Sequence, residues 1–425
     1  MREPAGPVPN PRVYIVGTCD TKFEELCYVR DLLRAAGLAT CLVDVGIRSR
    51  ERGVDVTPAQ VAACGPGGKS ILALDDRGRA VSAMAQALSV YLLGRIDVAG
   101  VIGLGGSGNT TIVTAAMQTL PIGVPKVMVS TQASGNTAPY VGSSDICMMY
   151  AITDVAGLNR ISRVVLANAA HALAGMVVNH APAVADPKPA IGLTMFGVTT
   201  PCITGIRQAL DAEFDCIVFH ATGTGGRSME KLAESGLFSG LIDITTTEIA
   251  DLLCGGVCSA GEDRLGAVAR TRLPYVGSVG AMDMVNFGAP DTVPARYRER
   301  TFYRHNPHAT LMRTTPEECA AIGRWIGERL NRCEGPVRFL LPEGGLSAID
   351  APGQPFHDPA ADAALFAAIE ATVIATADRQ VMRSPHHIND PGFAAEAAAL
   401  FRAICTNCTI VTPASTNQLR SLHHG

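Results

Sequence analysis

The stretch Ala99 to Gln118, AGVIGLGGSGNTTIVTAAMQ, decides the fold. An apolar run, Val98 to Ile102, passes into Gly103, Gly105, Gly106 and Gly108 with Ser107 among them. Asn109, Thr110 and Thr111 then open an Ala-rich segment. The pattern reads as strand, glycine loop, helix. Low side-chain bulk lets backbone amides approach an anion, and the following helix offers unpaired N–H groups and the positive end of its dipole. Phosphate is the expected occupant; the competing reading is a tight turn that holds nothing. Gly103, Gly105 and Gly108 also fit G-x-G-x-x-G, but that dinucleotide pattern needs an acid at the end of the next strand. The next strand, Lys126 to Ser130, ends in Ser130-Thr131, and no acid follows before Asp145. NAD is therefore disfavoured and phosphate retained.

A chain of 425 residues exceeds what one core supports, so two domains are expected. The Pro-rich start suggests a lead over 1–12, followed by an N-terminal nucleotide-binding α/β domain over 13–182. The segment APAVADPKPA sets a linker at 183–190 before a second α/β domain over 191–412 and a tail over 413–425. Both domains are expected to be Rossmann-like, with mainly parallel sheets flanked by helices. Hydrophobic content of 47% suits a globular core, and no apolar run is expected to span a membrane. Thirteen cysteines without paired spacing fit a reducing cytoplasm. A net charge of −4 and 5% aromatic residues argue against nucleic acid as a partner.

Other loops share the theme. The first strand, Val13 to Val16, runs into GTCDTKFEE, where Thr21 and Glu24 match a capping box. The same loop would add hydroxyls and Lys22 to a phosphate site at the carboxyl edge of a sheet. Strand Ala39 to Val45 carries Asp44, which reads either as a ribose ligand or as a cap on a neighbour. CGPGGKS, Cys64 to Ser70, imitates a Walker A loop but has Ala63 at the first glycine position, and reads as a mobile loop. A second glycine-and-hydroxyl loop, Thr222, Gly223, Thr224, Gly225, Gly226 and Ser228, follows strand Cys216 to His220. From Arg296 to Arg313 arginines concentrate around His305 and His308, suited to clamping a phosphate or carboxylate. His386 and His387, adjacent and so diverging, stand near Asp390 with no further ligand at a recognisable spacing, so no metal is expected.

Taken together, VGTCDTKFEEL, GLGGSGNTT, STQASGNTAPYVGSSDI, FHATGTGGRSME, HNPHATLMRTT, LPEGGLSAID and HHINDPGF resemble the Tm-1-like ATP-binding (UPF0261) family over about Val13 to Phe401. The resemblance implies two consecutive Rossmann-like domains, ATP bound by the first, and self-association into a homo-oligomer. Carried onto this chain, it places ATP at Gly105, Gly106, Ser107, Gly108, Asn109 and Thr110, beside Gly17, Thr18, Asp20, Thr21 and Lys22. Ser130, Thr131, Gln132 and Ser134 complete the pocket. No Walker B acid is identifiable, so magnesium would rest on phosphates and waters.

The leading expectation is an ATP-binding protein, acting as an ATP-dependent enzyme on a small anionic substrate in an interdomain cleft. Lys22, Arg227, Arg304 and His305 are the candidate catalytic residues, with Thr222 to Ser228 as the substrate loop. The alternative is a non-catalytic module in which nucleotide stabilises an assembly that binds a protein partner. A dehydrogenase is third, weakened by the missing acid.

Overall fold

A computed structural model describes residues 11–48, 53–179 and 188–405, which form two compact units, one before and one after residues 180–187. In the first, β1 (Arg12–Gly17), β2 (Thr40–Asp44), β3 (Val98–Gly105), β4 (Lys126–Ser130) and β5 (Cys147–Tyr150) form a parallel sheet in the order β2-β1-β3-β4-β5. Near-continuous apolar runs build it because helices cover both faces. Tyr14, Val16, Val101 and Met128 pack on one side, and Val13, Ile15, Ile102 and Val129 on the other. Gly103 is steric: an added Cβ would lie 2.6 Å from Val113 and 2.8 Å from Met128 Sδ, so glycine lets the helix Ser107–Thr119 and β4 close on β3.

In the second unit, β6 (Ala190–Met195), β7 (Asp215–His220), β8 (Gly240–Thr245), β9 (Tyr275–Gly280), β13 (Val337–Pro342) and β14 (Arg379–Ser384) form a second parallel sheet. Its order is β14-β13-β9-β8-β6-β7. A three-stranded antiparallel lobe, β10 (Met284–Phe287), β11 (Phe302–Asn306) and β12 (Ala309–Arg313), is inserted after β9. Both parallel sheets repeat one topology: the first strand lies between the second and third, and the chain changes direction across that junction. The switch points are therefore β1/β3 and β6/β8, where open α/β sheets bind ligands beyond the strands' carboxyl ends.

Several expectations change. Thr21 and Glu24 form no capping box; the helix Cys19–Ala35 starts after Thr18, and Lys22 interrupts it at φ −134°, ψ 19°. In CGPGGKS, read as a loop, Gly68 to Ser70 lie in a 3-10 helix, Gly68–Ala73, that buries Ile71. Ala190, placed in the linker, opens β6. The helix Arg160–Val178 has a mean hydropathy of 1.5 over its most apolar window, so by length and composition it could cross a membrane; its Leu166, Ala169, Ala170 and Leu173 pack in the first unit's core. Among the described cysteines eleven are free thiols, and Cys405 is disulfide-bonded. Arg12, placed in the lead, opens β1; the rest of the lead apart from Pro11, most of the linker and the tail lie outside the described residues, as do His180 and Cys408.

The second unit is cross-braced by Arg264, whose side chain is 1% exposed. Its guanidinium donates to Asp243 Oδ1 at 2.7 Å, Glu248 Oε2 at 2.8 Å and Glu230 Oε1 at 2.9 Å. Breaking a buried ion pair from one side typically costs about 3–5 kcal/mol, because the partner charges are left unpaired. Arg264→Ala should therefore lower the urea unfolding free energy by at least about 3 kcal/mol. Arg402→Ala, which breaks a half-exposed pair with Glu213, should lower it by less than about 1 kcal/mol. Equal effects would rule out the buried cluster as the unit's brace.

Candidate functional site

The β1/β3 switch point is built from the two loops that the sequence singles out. The helix Ser107–Thr119 begins at Gly106, and no side chain caps it. The amides of Ser107, Gly108 and Asn109 thus have no intrahelical acceptor and face the end of the sheet as anion donors. Gly105, at φ +148°, lies against Asn109, whose Nδ2 donates to Leu104 O at 2.5 Å. Asn109 Oδ1 is buried and has no hydrogen-bond partner among the described residues. A Cβ on Gly106 would have only Thr131 Oγ1 near it, at 3.9 Å, which leaves the approach to the amides open.

Two cations stand at this edge. Arg77, at the start of the helix Arg77–Leu93, places Nη2 3.8 Å from the Cβ position of Gly108. Its guanidinium is exposed and makes no ion pair or hydrogen bond with the described residues. Lys22, in the kink after β1, is half-buried and equally unpaired. Arg77 lies 31 residues before Gly108, and only the fold brings it there.

The other expected ligands divide. Thr110 and Ser130 are buried with their hydroxyls 2.7 Å apart, and Gln132 N donates to Ser130 Oγ; they pin β4 to the helix and do not reach solvent. Gly17 is buried against Leu26 and offers no open approach. In the β1 loop the Cys19 amide already donates to Asp44 Oδ1 at 3.0 Å, as does Gly46 N at 2.8 Å. Asp44 therefore caps its neighbours, while its buried Oδ2 has no partner. Burial, and then the Asp44 charge, raise the pKa of Asp20 above its ordinary value. Thr18 and Thr21 hydroxyls pair at 3.2 Å, and Ser107 and Ser134 are exposed. Thr131 and Gln132 are half-buried beside the glycine loop, with Thr131 N donating to Gly105 O.

The second glycine loop is differently placed. It follows β7, an edge strand, and not a switch-point strand. Gly223 N and Gly226 N donate to Glu248 Oε1 at 2.6 and 3.1 Å, so these two amides already hold an anion. An added Cβ on Gly226 would collide with the same carboxylate. Arg227 donates to Ser259 O and Thr224 Oγ1. Arg304 and His305 are successive exposed residues of β11, at an irregularity in its pairing with β12. His387 has both ring nitrogens committed, to Asn389 N and Ser347 O, and no metal-binding group of His, Cys, Asp and Glu occurs among the described residues.

Sequence patterns gave no sign of a buried acidic cluster beyond β9, β12 and β13. Arg313 Nη2 lies 2.8 Å from Asp362 and 3.6 Å from Asp350, and Ser347 donates to Asp283. One guanidinium faces three carboxyls. Burial, and then repulsion from Asp350, push the pKa of Asp283 to about 7 and of Asp362 to about 8.

Residues 11–182 match the N-terminal domain, and 188–405 the C-terminal domain, of the uncharacterised protein family UPF0261. The chain belongs to that family. A UPF0261 protein of Rhizobium meliloti is 61% identical over 92% of this chain and 99% of its own length. One of Clostridium tetani is 43% identical over 91% and 96%. The ToMV resistance protein Tm-1(GCR237) of Solanum lycopersicum is 40% identical over 91% of this chain, which spans 54% of that protein.

The acidic cluster makes stability depend on pH in a definite direction. Unfolded, Asp283 and Asp362 titrate near 3.8; folded, they keep their protons to about 7 and 8. Between those values the folded chain binds more protons, so their contribution is complete below pH 4 and is lost as pH rises to 8. Asp362→Asn should flatten the fall in melting temperature between pH 5 and pH 8.5. Identical slopes in thermal unfolding of the two proteins would contradict the assignment.

Proposed function

We propose that this UPF0261 protein binds ATP at the β1/β3 switch point of its first unit. The observation that carries the reading is the uncapped helix start at Gly106 to Asn109, with the unpaired Arg77 beside it. Backbone amides and a helix dipole stabilise phosphate oxygens without a protonation event, and Arg77 and Lys22 supply full charges to the same groups. Magnesium would be held by phosphates and waters.

Backbone donors and two unpaired cations also suit charge stabilisation in phosphoryl transfer, so the reading extends to an ATP-dependent enzyme acting on a small anionic substrate. Amides Gly223 and Gly226 are left out of that substrate's binding, because Glu248 occupies them.

Calorimetry and thermal shift with ATP and magnesium test the site. Gly106→Asp has room for its side chain, so it should fold normally while placing a carboxylate among the amides and abolishing the ATP-dependent rise in melting temperature. Arg77→Gln should weaken ATP binding by about ten-fold, the scale of one charge-assisted contact. An undiminished ATP response in Gly106→Asp would overturn the reading. ADP release across a panel of small carboxylates and phosphates separates turnover from binding alone.

A further inference from the structure

The antiparallel lobe of the second unit carries a groove of about 770 Å³, a volume in the range of small-molecule sites. Its floor is one face of the β11/β12 ribbon. Arg304 and Thr310 are cross-strand partners and Phe302 is two residues from Arg304, so all three share that face. Pro290, Val293 and Arg298, in and beside the 3-10 turns after β10, also line it.

The arginines of this segment fall into two sets. Arg296 lies over the Tyr297 ring and donates to Cys254 O; Arg300 forks onto Glu318 and Arg313 O; Arg313 is buried in the acidic cluster. Each of these holds structure. Arg298 and Arg304 have no ion pair or hydrogen bond with the described residues, and both line the groove. Asp291 is the lining carboxylate, and it is paired with neither. The register slips between Arg304 and Asn306, an irregularity of the kind that redirects a side chain. Phe302 is 36% exposed beside them, and the hydroxyl of Thr310, a residue 4% exposed, is buried without a partner.

We propose that this groove binds a small organic anion with an apolar body. Its carboxylate, sulfonate or phosphate head is held by Arg298 and Arg304, and its body lies on Phe302 and Val293. A guanidinium fork recognises such heads through paired charge-assisted hydrogen bonds, and an aromatic face adds apolar contact area. The site belongs wholly to the second unit and does not depend on the nucleotide reading.

The full chain should bind 1-anilinonaphthalene-8-sulfonate saturably at one site, read by fluorescence and calorimetry. Arg298→Gln with Arg304→Gln should weaken that binding by at least about ten-fold while leaving the neutral N-phenyl-1-naphthylamine unaffected. Phe302→Ser should weaken both probes. Arg324→Gln with Arg332→Gln, an equal loss of charge at exposed positions outside the groove, should change neither. 2-Naphthoate should displace the sulfonate, and inorganic phosphate at the same concentration should not. All variants are exposed substitutions whose thermal unfolding reports retained folding. Equal sulfonate affinity in the groove and control variants would overturn the proposal, as would binding without saturation. Displacement by phosphate as effective as by 2-naphthoate would overturn the apolar body.

Discussion

Three carboxylates buried around one guanidinium set the terms for the second unit. Taking Asp243, Glu230 and Glu248 out of water is costly, and the cost is met only because Arg264 reaches all three with separate N–H groups. The remaining lone pairs are also filled. Thr194 and Tyr275 donate to Asp243, the amides of Leu265 and Ala267 to Glu230, and those of Gly223 and Gly226 to Glu248. Leu265 sits at φ +72° to do so, a left-handed conformation that a non-glycine residue adopts only when its surroundings hold it there. β8, the helix Thr224–Glu234 and the helix Glu248–Cys254 are consequently tied at one point.

That constraint decides what the two glycine loops can do. Both sheets share a topology, but the loop of the first unit follows β3 at the switch point, whereas that of the second follows β7 at an edge. At the switch point the adjacent strands diverge in connection and leave a crevice. At the edge the loop folds onto the next helix and is closed by Glu248. Nearly identical composition, glycine with hydroxyls before a helix, thus yields an open helix start in one place and an internally satisfied one in the other.

This marks how far the sequence is legible. The alternation of apolar runs, glycine loops and helices was readable because each signal is local: β1, β2, β3, β4 and β7 lie where the runs lie. β5, CMMY, is a half-exposed edge strand, and β14, RQVMRS, is polar for a strand; neither carries the apolar run that marks a covered strand. The site separates in the same way. Gly105 to Gly108 is a local pattern, while Arg77 is brought to Gly108 by helix packing, and the Asp283, Arg313, Asp350 and Asp362 group is assembled from four separate segments. Glu248 likewise finds its partners far along the chain, in the glycine-loop amides 22 and 25 residues away and in Arg264, 16 residues away.

Glu248 also illustrates the chemistry proposed for the other loop. In the second unit a carboxylate rests on two glycine-loop amides with a guanidinium behind it, so amides of this kind do stabilise an anion when a counter-charge is near. Permanence comes from burial: Arg264 has no access to water, and its anion is tethered to the chain. At Gly106 to Asn109 the amides face an open approach and the nearest guanidinium, Arg77, is exposed. Screening by water and salt weakens each contact there. An anion held on those terms must supply several contacts at once and can still leave. A polyphosphate meets both conditions, since its charge spans more than one donor and its release strands no buried charge.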